Sequence, residues 1–274
     1  MPSFSSAVEN SLLLVALLFV LAGDPLRAQE TPLTRDQMKQ FLLTAEIVGS
    51  KESSKGATHP TRLTLSNGTI THDASFQPVD IHKSEMKLES GTTVFNFTDS
   101  YKFNIAAYDL AELVGMDDML PVYVERRWQG HLGSLSWWLP VKMDEQDRVA
   151  KKINPPDPEA WNRQMYKVRV FDELVYDTDA NLTNILIGPD WQIWRIDFTR
   201  AFRTERNLHA PNDLVMCDRR LLERLRGLRS EEVAAKTKGY LNKDQLQGLM
   251  ARRDKIVERF DQLVKEKGEK AVLY

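Results

Sequence analysis

The chain has a single cysteine, Cys217, among 274 residues. An intramolecular disulfide is therefore excluded. The five histidines form no cluster with it, so a structural metal of the zinc type is not expected either. Cys217 reads as a small buried hydrophobe rather than a reactive thiol. Charge of one sign is also lacking: 37 Lys and Arg stand against 39 Asp and Glu, a net charge of −2, so nucleic acid and anionic membrane surfaces are not expected partners. No repeat or low-complexity tract is present. No apolar run reaches the roughly 18–20 residues that span a bilayer. The run at residues 12–22, LLLVALLFVLA, suits the core of a signal peptide, with cleavage after Ala22 or Ala28. Its leading segment carries no Lys or Arg, which leaves an uncleaved anchor as the alternative, and no cysteine lies near the cleavage site to make a lipoprotein. Residues 1–28 are thus expected to be a signal peptide and the protein to be exported.

The remaining length allows one large domain or two lobes around a cleft. Residues 30–42 read as a short helix capped by Thr34. A β-rich block follows. Residues 45–48 are strand-like, and residues 49–56 form a polar loop with Gly49 and Gly56 at its ends. Such a loop either covers nucleotide phosphates with backbone N–H groups or is a solvated hairpin loop; Gly-x-Gly-x-x-Gly is absent. Asn67-Gly68 is a hairpin turn between strands at 62–65 and 69–76. Residues 99–115 read as a helix, capped by Asp99 and stopped by Gly115, with Phe103, Ala106, Ala107, Leu110 and Val114 on its apolar face. Two strands, 121–126 and 133–139, turn near Gln129-Gly130. Trp137 and Trp138 are either core or a nucleotide-stacking wall. Residues 143–158, charged and proline-rich, are expected to be a hinge between an N-terminal lobe (30–142) and a C-terminal lobe (159–274). Asp157 and Pro158 open a helix with Trp161, Met165, Val168 and Phe171 on one side. From patterning alone the fold class is α+β.

Residues 175–202, VYDTDANLTNILIGPDWQIWRIDFTRAF, carry the chemistry. Asn184-Ile185-Leu186-Ile187 is a short strand, Gly188-Pro189-Asp190 a turn, and Trp191 to Ile196 alternates as a second strand. Folding this hairpin brings Asn184 and Asp197 to one open end, with Asp179 on the loop before it. Two neighbouring oxygen ligands suit a hard cation such as Mg2+ or Mn2+ that bridges phosphates. A third carboxylate nearby can accept a proton from an attacking hydroxyl. The bland alternative is a set of ordinary polar loop residues.

This spacing resembles the catalytic loop and metal-binding Asp of the protein-kinase-like fold. No His-Arg precedes Asp179, and the second motif is Asp-Phe-Thr, so the resemblance is to the atypical branch: phosphatidylinositol 3-/4-kinases, HipA-type kinases and secretory-pathway kinases related to the Golgi casein kinase. It extends over about residues 60–202. Phe76-Gln77-Pro78 is similar to the third-strand Phe-Lys-Pro of the secretory-pathway kinases. Asn104-Ile105-Ala106-Ala107-Tyr108, followed by Gly115 and Pro121, is similar to their regulatory helix with Glu-Ile-Ala-Ala-aromatic. Phe171-Asp172 matches their Phe-Asp, and Asp197 to Phe202 their Asp-x-Gly-Arg-Gly-Phe.

The resemblance implies a bilobal kinase-like fold binding ATP with Mg2+ or Mn2+. Asp179 would be the catalytic base, Asn184 and Asp197 would hold metal, and Arg200 would support the Asp197 segment. Gln77, Asn104, Gly49 and Gly56 would line the nucleotide. Gln77 stands where the family has Lys and Asn104 where it has Glu, so both charges of the family's ion pair are replaced together. Lys51, Lys55, Lys83 and Lys102 are candidates for a substitute cation. Two functions follow: transfer of a phosphoryl group to a hydroxyl acceptor of unknown class, or a pseudokinase that binds or scaffolds without transfer. Asn67, Asn96 and Asn181 lie in glycosylation sequons.

Overall fold

The computed structural model describes residues 32–52, 60–87, 91 and 93–274. The expected signal peptide and Gly56 lie outside the described residues. Helix α1 (Arg35–Thr44) starts at Thr34, whose hydroxyl accepts the Gln37 N–H while the Gln37 side chain accepts the Thr34 N–H. This reciprocal cap satisfies two donors that a helix start leaves open. Five antiparallel strands follow in the spatial order β1-β2-β3-β7-β6. They are β1 (Glu46–Glu52), β2 (Thr61–Ser66) and β3 (Thr71–Gln77), with β6 (Tyr123–Trp128) and β7 (His131–Trp137) from later in the chain. Leu63, Leu65, Ala74 and Phe76 alternate inward from β2 and β3 and are buried. The Asn67-Gly68 turn is as expected, with Asn67 Oδ1 accepting the N–H groups of Thr69 and Ile70. The β6–β7 turn places Gln129 and Gly130 at φ 47° and 83°, the geometry that suits a two-residue hairpin.

Between β3 and β6 lie β4 (Asp80–Lys87) and β5 (Thr93–Ser100), a separate two-stranded ribbon, and α2 (Tyr101–Val114). Helix α2 is buried along most of its length, which fits its near-continuous apolar sequence. Gly115 closes it at φ 71°, and the Arg224 side chain occupies the space a Cβ there would need. Its cap differs from expectation: Ser100 Oγ takes the Lys102 N–H, which leaves the Asp99 carboxylate for other work. Trp137 packs into the core, stacked on His72 and edge-on to Phe41, while Trp138 lies under the Arg62 guanidinium.

The stretch 143–158, expected as a hinge, carries a short strand and a short helix. Strand β8 (Met143–Asp144) pairs with β9 (Ile185–Ile187), and Asp144 caps helix α3 (Glu145–Ala150). Helix α4 (Pro158–Val175) begins at Asp157, which accepts the Glu159 and Ala160 N–H groups. Strands β9 and β10 (Ile193–Arg195) form the expected hairpin. Residues 203–218 are mostly irregular. Then come α5 (Arg219–Gly227), α6 (Ser230–Lys236), α7 (Lys243–Lys267) and α8 (Glu269–Val272). The fully buried Arg252 of α7 donates to the carbonyls of Leu174, Arg203 and Glu205. It thereby pins the end of α4 and the segment after Phe202 to the helical core. Residues 33–274 form one unit, with a β-rich N-terminal part and a helical C-terminal part. No helix among the described residues is long and apolar enough to cross a membrane.

Candidate active site

Helix α4 ends in a left-handed Tyr176 (φ 50°) that turns the chain into the Asp179 loop. Local hydrogen bonds hold this loop. Asp177 Oδ1 accepts the Asp179 N–H (3.0 Å), Asn181 Oδ1 accepts the Thr183 N–H (3.0 Å), and Asn184 Nδ2 donates back to the Asp179 carbonyl (3.1 Å). In the hairpin, Ile185 opposes Arg195, and the Ile196 N–H donates to the Asn184 carbonyl (3.0 Å). Asn184 and Asp197 therefore leave the hairpin at the same end, as the spacing requires. The Asp179 carboxylate is 43 % exposed, open to an incoming group.

Arg195 was not singled out in the sequence, yet it holds this loop to the hairpin. Its side chain is 1 % exposed, pairs with Asp172 (3.0 Å) and Asp177, and lies over the Phe198 ring. Burial pushes the Asp172 carboxyl up to about 6, against the pull of Arg195. The one sequence signal for this was an arginine at an inward position of an otherwise apolar strand.

Asp197 adopts φ 59°, a left-handed conformation that a non-glycine residue takes only under constraint. Its Oδ1 accepts the Thr199 hydroxyl (3.0 Å), and the Tyr123 hydroxyl contacts its backbone. Burial raises the Asp197 pKa, Asp99 adds to the rise, and Asp197 has no ion-pair partner among the described residues. The next residue is fixed from α2: the Phe198 N–H donates to Asn104 Oδ1 (2.7 Å). The other end of the same amide donates to Gln77 Oε1 (2.8 Å) and Ser134 Oγ (3.2 Å). Gln77 and Asn104, 27 residues apart, thus face each other in the core.

Arg200 spans two acids, Asp179 (3.2 Å) and Asp99 (3.1 Å). The Ser100 N–H donates to the Thr199 carbonyl (2.8 Å) beside it, stitching β5 to the Asp197 segment. Gly49, expected at the edge of a phosphate loop, is instead inside β1, paired with Thr64 next to a register shift. Lys51 and Lys83 lie on exposed positions of β1 and β4, Lys102 pairs with Asp80 (2.9 Å), and Lys55 lies outside the described residues.

The donor set around the hairpin end consists of oxygens, without thiol or imidazole, and suits Mg2+ or Mn2+ rather than zinc. Among the described residues no three Asp, Glu, His or Cys side chains meet at one ion position. Asn184 and Asp197 alone would leave most of a metal's coordination to waters and to phosphate oxygens, the usual habit of Mg2+ in nucleotide sites. A separate cavity of about 450 Å³, lined by Gly115, Lys167, Arg219 and Arg224 among others, contains none of these residues.

Neither a family model nor a curated protein matches the chain. Solved structures do. Hydra Fam20 with sugar aligns over 87 % of this chain and 91 % of its own, with a TM-score of 0.64 at 14 % identity. The Golgi casein kinase with Mn/ADP bound aligns over 87 % of this chain and 78 % of its own, with a TM-score of 0.60 at 13 % identity. The Helicobacter pylori proinflammatory kinase CtkA aligns over 84 % and 96 %, with a TM-score of 0.50 at 10 % identity. The chain has an atypical kinase-like fold, as the resemblance in its motifs implied.

Proposed function

On this kinase-like fold we propose that the chain binds a metal–nucleotide complex and transfers its terminal phosphoryl group to a hydroxyl acceptor. The observation that carries the reading is the closed hairpin end, where Asn184 and Asp197 emerge together and Asn184 also ties down the Asp179 carbonyl. Asn184 and Asp197 would hold Mg2+ or Mn2+, which supplies the positive charge that triphosphate transfer requires. Asp179 orients the acceptor hydroxyl and takes its proton, and its exposure leaves room for that group. Arg200 keeps the Asp179 carboxylate turned toward the segment that carries Asp197. The Golgi casein kinase structure with Mn/ADP supports the choice of ligands.

Gln77 and Asn104 favour a second reading, a pseudokinase that binds nucleotide without transferring phosphate. Their amides position α2 against the Asp197 segment but bring no cation to the phosphates. Charge neutralisation then falls on the metal, and we expect nucleotide binding that depends strictly on metal, with slow turnover. The run at residues 12–22 supports export for either reading. A thermal-shift titration with ATP, with and without Mg2+ or Mn2+, tests binding; release or transfer of the labelled terminal phosphate separates enzyme from pseudokinase. Absence of any metal-dependent nucleotide effect would refute both readings.

A further inference from the structure

We propose that Asp99, the penultimate residue of β5 just before α2, is a third acidic member of the cation site and holds a water of the bound divalent ion through its inner oxygen. The inference rests on the metal–nucleotide reading above. Asp99 is read from the sequence as the cap of α2, but Ser100 performs that task. Its side chain is 5 % exposed, and one oxygen, Oδ2, pairs with Arg200 at 3.1 Å. The other, Oδ1, is buried without a hydrogen-bond partner. A buried carboxylate oxygen left without a donor is costly, and folded proteins ordinarily satisfy such an atom with a water or an ion.

The position of that oxygen suggests which. Ser100 is bonded to the Thr199 carbonyl, and the Thr199 hydroxyl is bonded to Asp197 Oδ1. Arg200 runs from Asp99 to Asp179. One residue, Arg200, therefore connects Asp99 to the proposed base, and two, Ser100 and Thr199, connect it to the proposed metal ligand. The charges point the same way. Arg195 pairs with Asp172 and Asp177, Arg200 pairs with Asp99 and Asp179, and Asp197, which lies between the field of Arg195 and that of Asp99, has no ion-pair partner among the described residues. Five carboxylates thus share two guanidiniums, an excess of negative charge that a divalent cation would offset in part. Direct ligation by all three acids is not available, since no three acids among the described residues meet at one ion position. Contact through a metal-bound water fits both this spacing and the reluctance of Mg2+ to shed its waters. Pairing with Arg200 explains Oδ2 and leaves Oδ1 unexplained; a water of the hydrated cation would satisfy Oδ1.

The test is a Mn2+ titration of the full chain with ADP, read by loss of the free-ion electron paramagnetic resonance signal. Groups that contact a metal through a second layer typically contribute 10–100-fold to its affinity. Asp99→Asn, which keeps the shape and an acceptor for Arg200, should weaken Mn2+ binding at least about tenfold. Arg200→Gln should strengthen it, because it removes a cation from the same space. If Asp99 served only to hold Arg200, the two substitutions would shift affinity in the same direction, and that result overturns the proposal. Asp99→Ser provides a second variant with the same expectation should Asp99→Asn not fold. Asp197→Ala separates the two levels of inference. Loss of binding in Asp197→Ala with wild-type affinity in Asp99→Asn rejects the role of Asp99 alone. A wild type that takes up no Mn2+ with ADP rejects the metal–nucleotide reading and this inference together.

Discussion

Asn104 and Gln77 share a hydrogen bond of 2.8 Å between α2 and β3, in the two short motifs that resemble those carrying the Lys and Glu of the secretory-pathway kinases. The substitution is chemically consistent as a pair. Asn104 donates to Gln77 and Ser134 and accepts from Phe198, so it uses both ends of its amide. A carboxylate could accept from Phe198 but could not donate to the other two. The neutral pair therefore sets α2, the sheet and the Asp197 segment in one arrangement without any charge to balance. An unmatched charge buried at this point would cost about 3–5 kcal/mol.

Asp197→Ala should abolish the metal-dependent stabilisation by ATP, because it removes the single carboxylate of the proposed metal pair. Asp179→Asn should leave that stabilisation in place and reduce transfer. A nucleotide at a hundred times its Kd adds about 2.7 kcal/mol to stability, an effect well within reach of a melting experiment. Equal ATP stabilisation of wild type and Asp197→Ala would reject the assignment.

Asp109, on α2, is buried, and burial pushes its carboxyl up to about 6 even though Lys39 of α1 and Lys236 of α6 pull it down; Glu112 on its own helix adds to the rise. A carboxyl with a raised folded-state pKa binds its proton more tightly in the native protein. It therefore costs stability above about pH 6, and the cost vanishes as pH falls toward about 4, where the unfolded chain is also protonated. Asp109→Asn should stabilise the protein by about 2–3 kcal/mol at pH 8 and by little at pH 4. Urea midpoints at the two pH values measure the difference; a gain that does not shrink in acid would show that Asp109 is not the titrating group.

Local chemistry made several elements legible in the sequence. Asn67-Gly68, Gln129-Gly130, Gly115 and the Asp157-Pro158 start all act through the residues themselves, and the structure places them as expected. The 185–195 hairpin was legible because its turn and its apolar strands agree in period. The β4–β5 ribbon was not. Its outer strand, DIHKSEMK, is exposed nearly throughout, so neither face left an apolar alternation to read. Residues 49–52 look like a loop because an edge strand in water needs no apolar residues. The facing of Gln77 and Asn104 was legible only through a resemblance, since no period or spacing links residues on separate elements. Arg195 was missed because its value lies in partners that only the tertiary fold supplies.

Arg195→Met should destabilise the protein by about 3–5 kcal/mol, since it strands Asp172 and Asp177 without their guanidinium. Arg195→Lys should recover only part of this, because a single ammonium cannot span both carboxylates as the planar fork does. Chemical denaturation of the two variants gives the comparison. A Met variant as stable as wild type would mean the acids are not held by Arg195.

The Gln77–Asn104 pair gives the most discriminating experiment, because the two positions are predicted to be coupled. Gln77→Lys alone introduces an ammonium where its neighbour offers Asn104, a neutral amide, and should destabilise by about 3–5 kcal/mol. Asn104→Glu alone keeps the acceptor for Phe198 but loses the donations to Gln77 and Ser134, leaving a buried carboxylate beside their oxygens. It too should destabilise, by a similar amount. The double variant lets each charge satisfy the other, so its cost should fall short of the sum of the singles by at least about 1 kcal/mol, within the range for residues in contact. It should also bind ATP more tightly than wild type, since a lysine there adds a charge-assisted contact to phosphate, worth about 1.5–3 kcal/mol against 0.5–1.5 for a neutral one. Phosphoryl transfer should gain more than binding does, because phosphate charge is rearranged in the transition state and fixed positive groups act most strongly there. Melting temperatures and ATP affinities of the four proteins test this. Coupling in stability without a gain in ATP affinity would mean that Gln77 does not face the nucleotide, and the charge that neutralises its phosphates would then have to come from the metal alone.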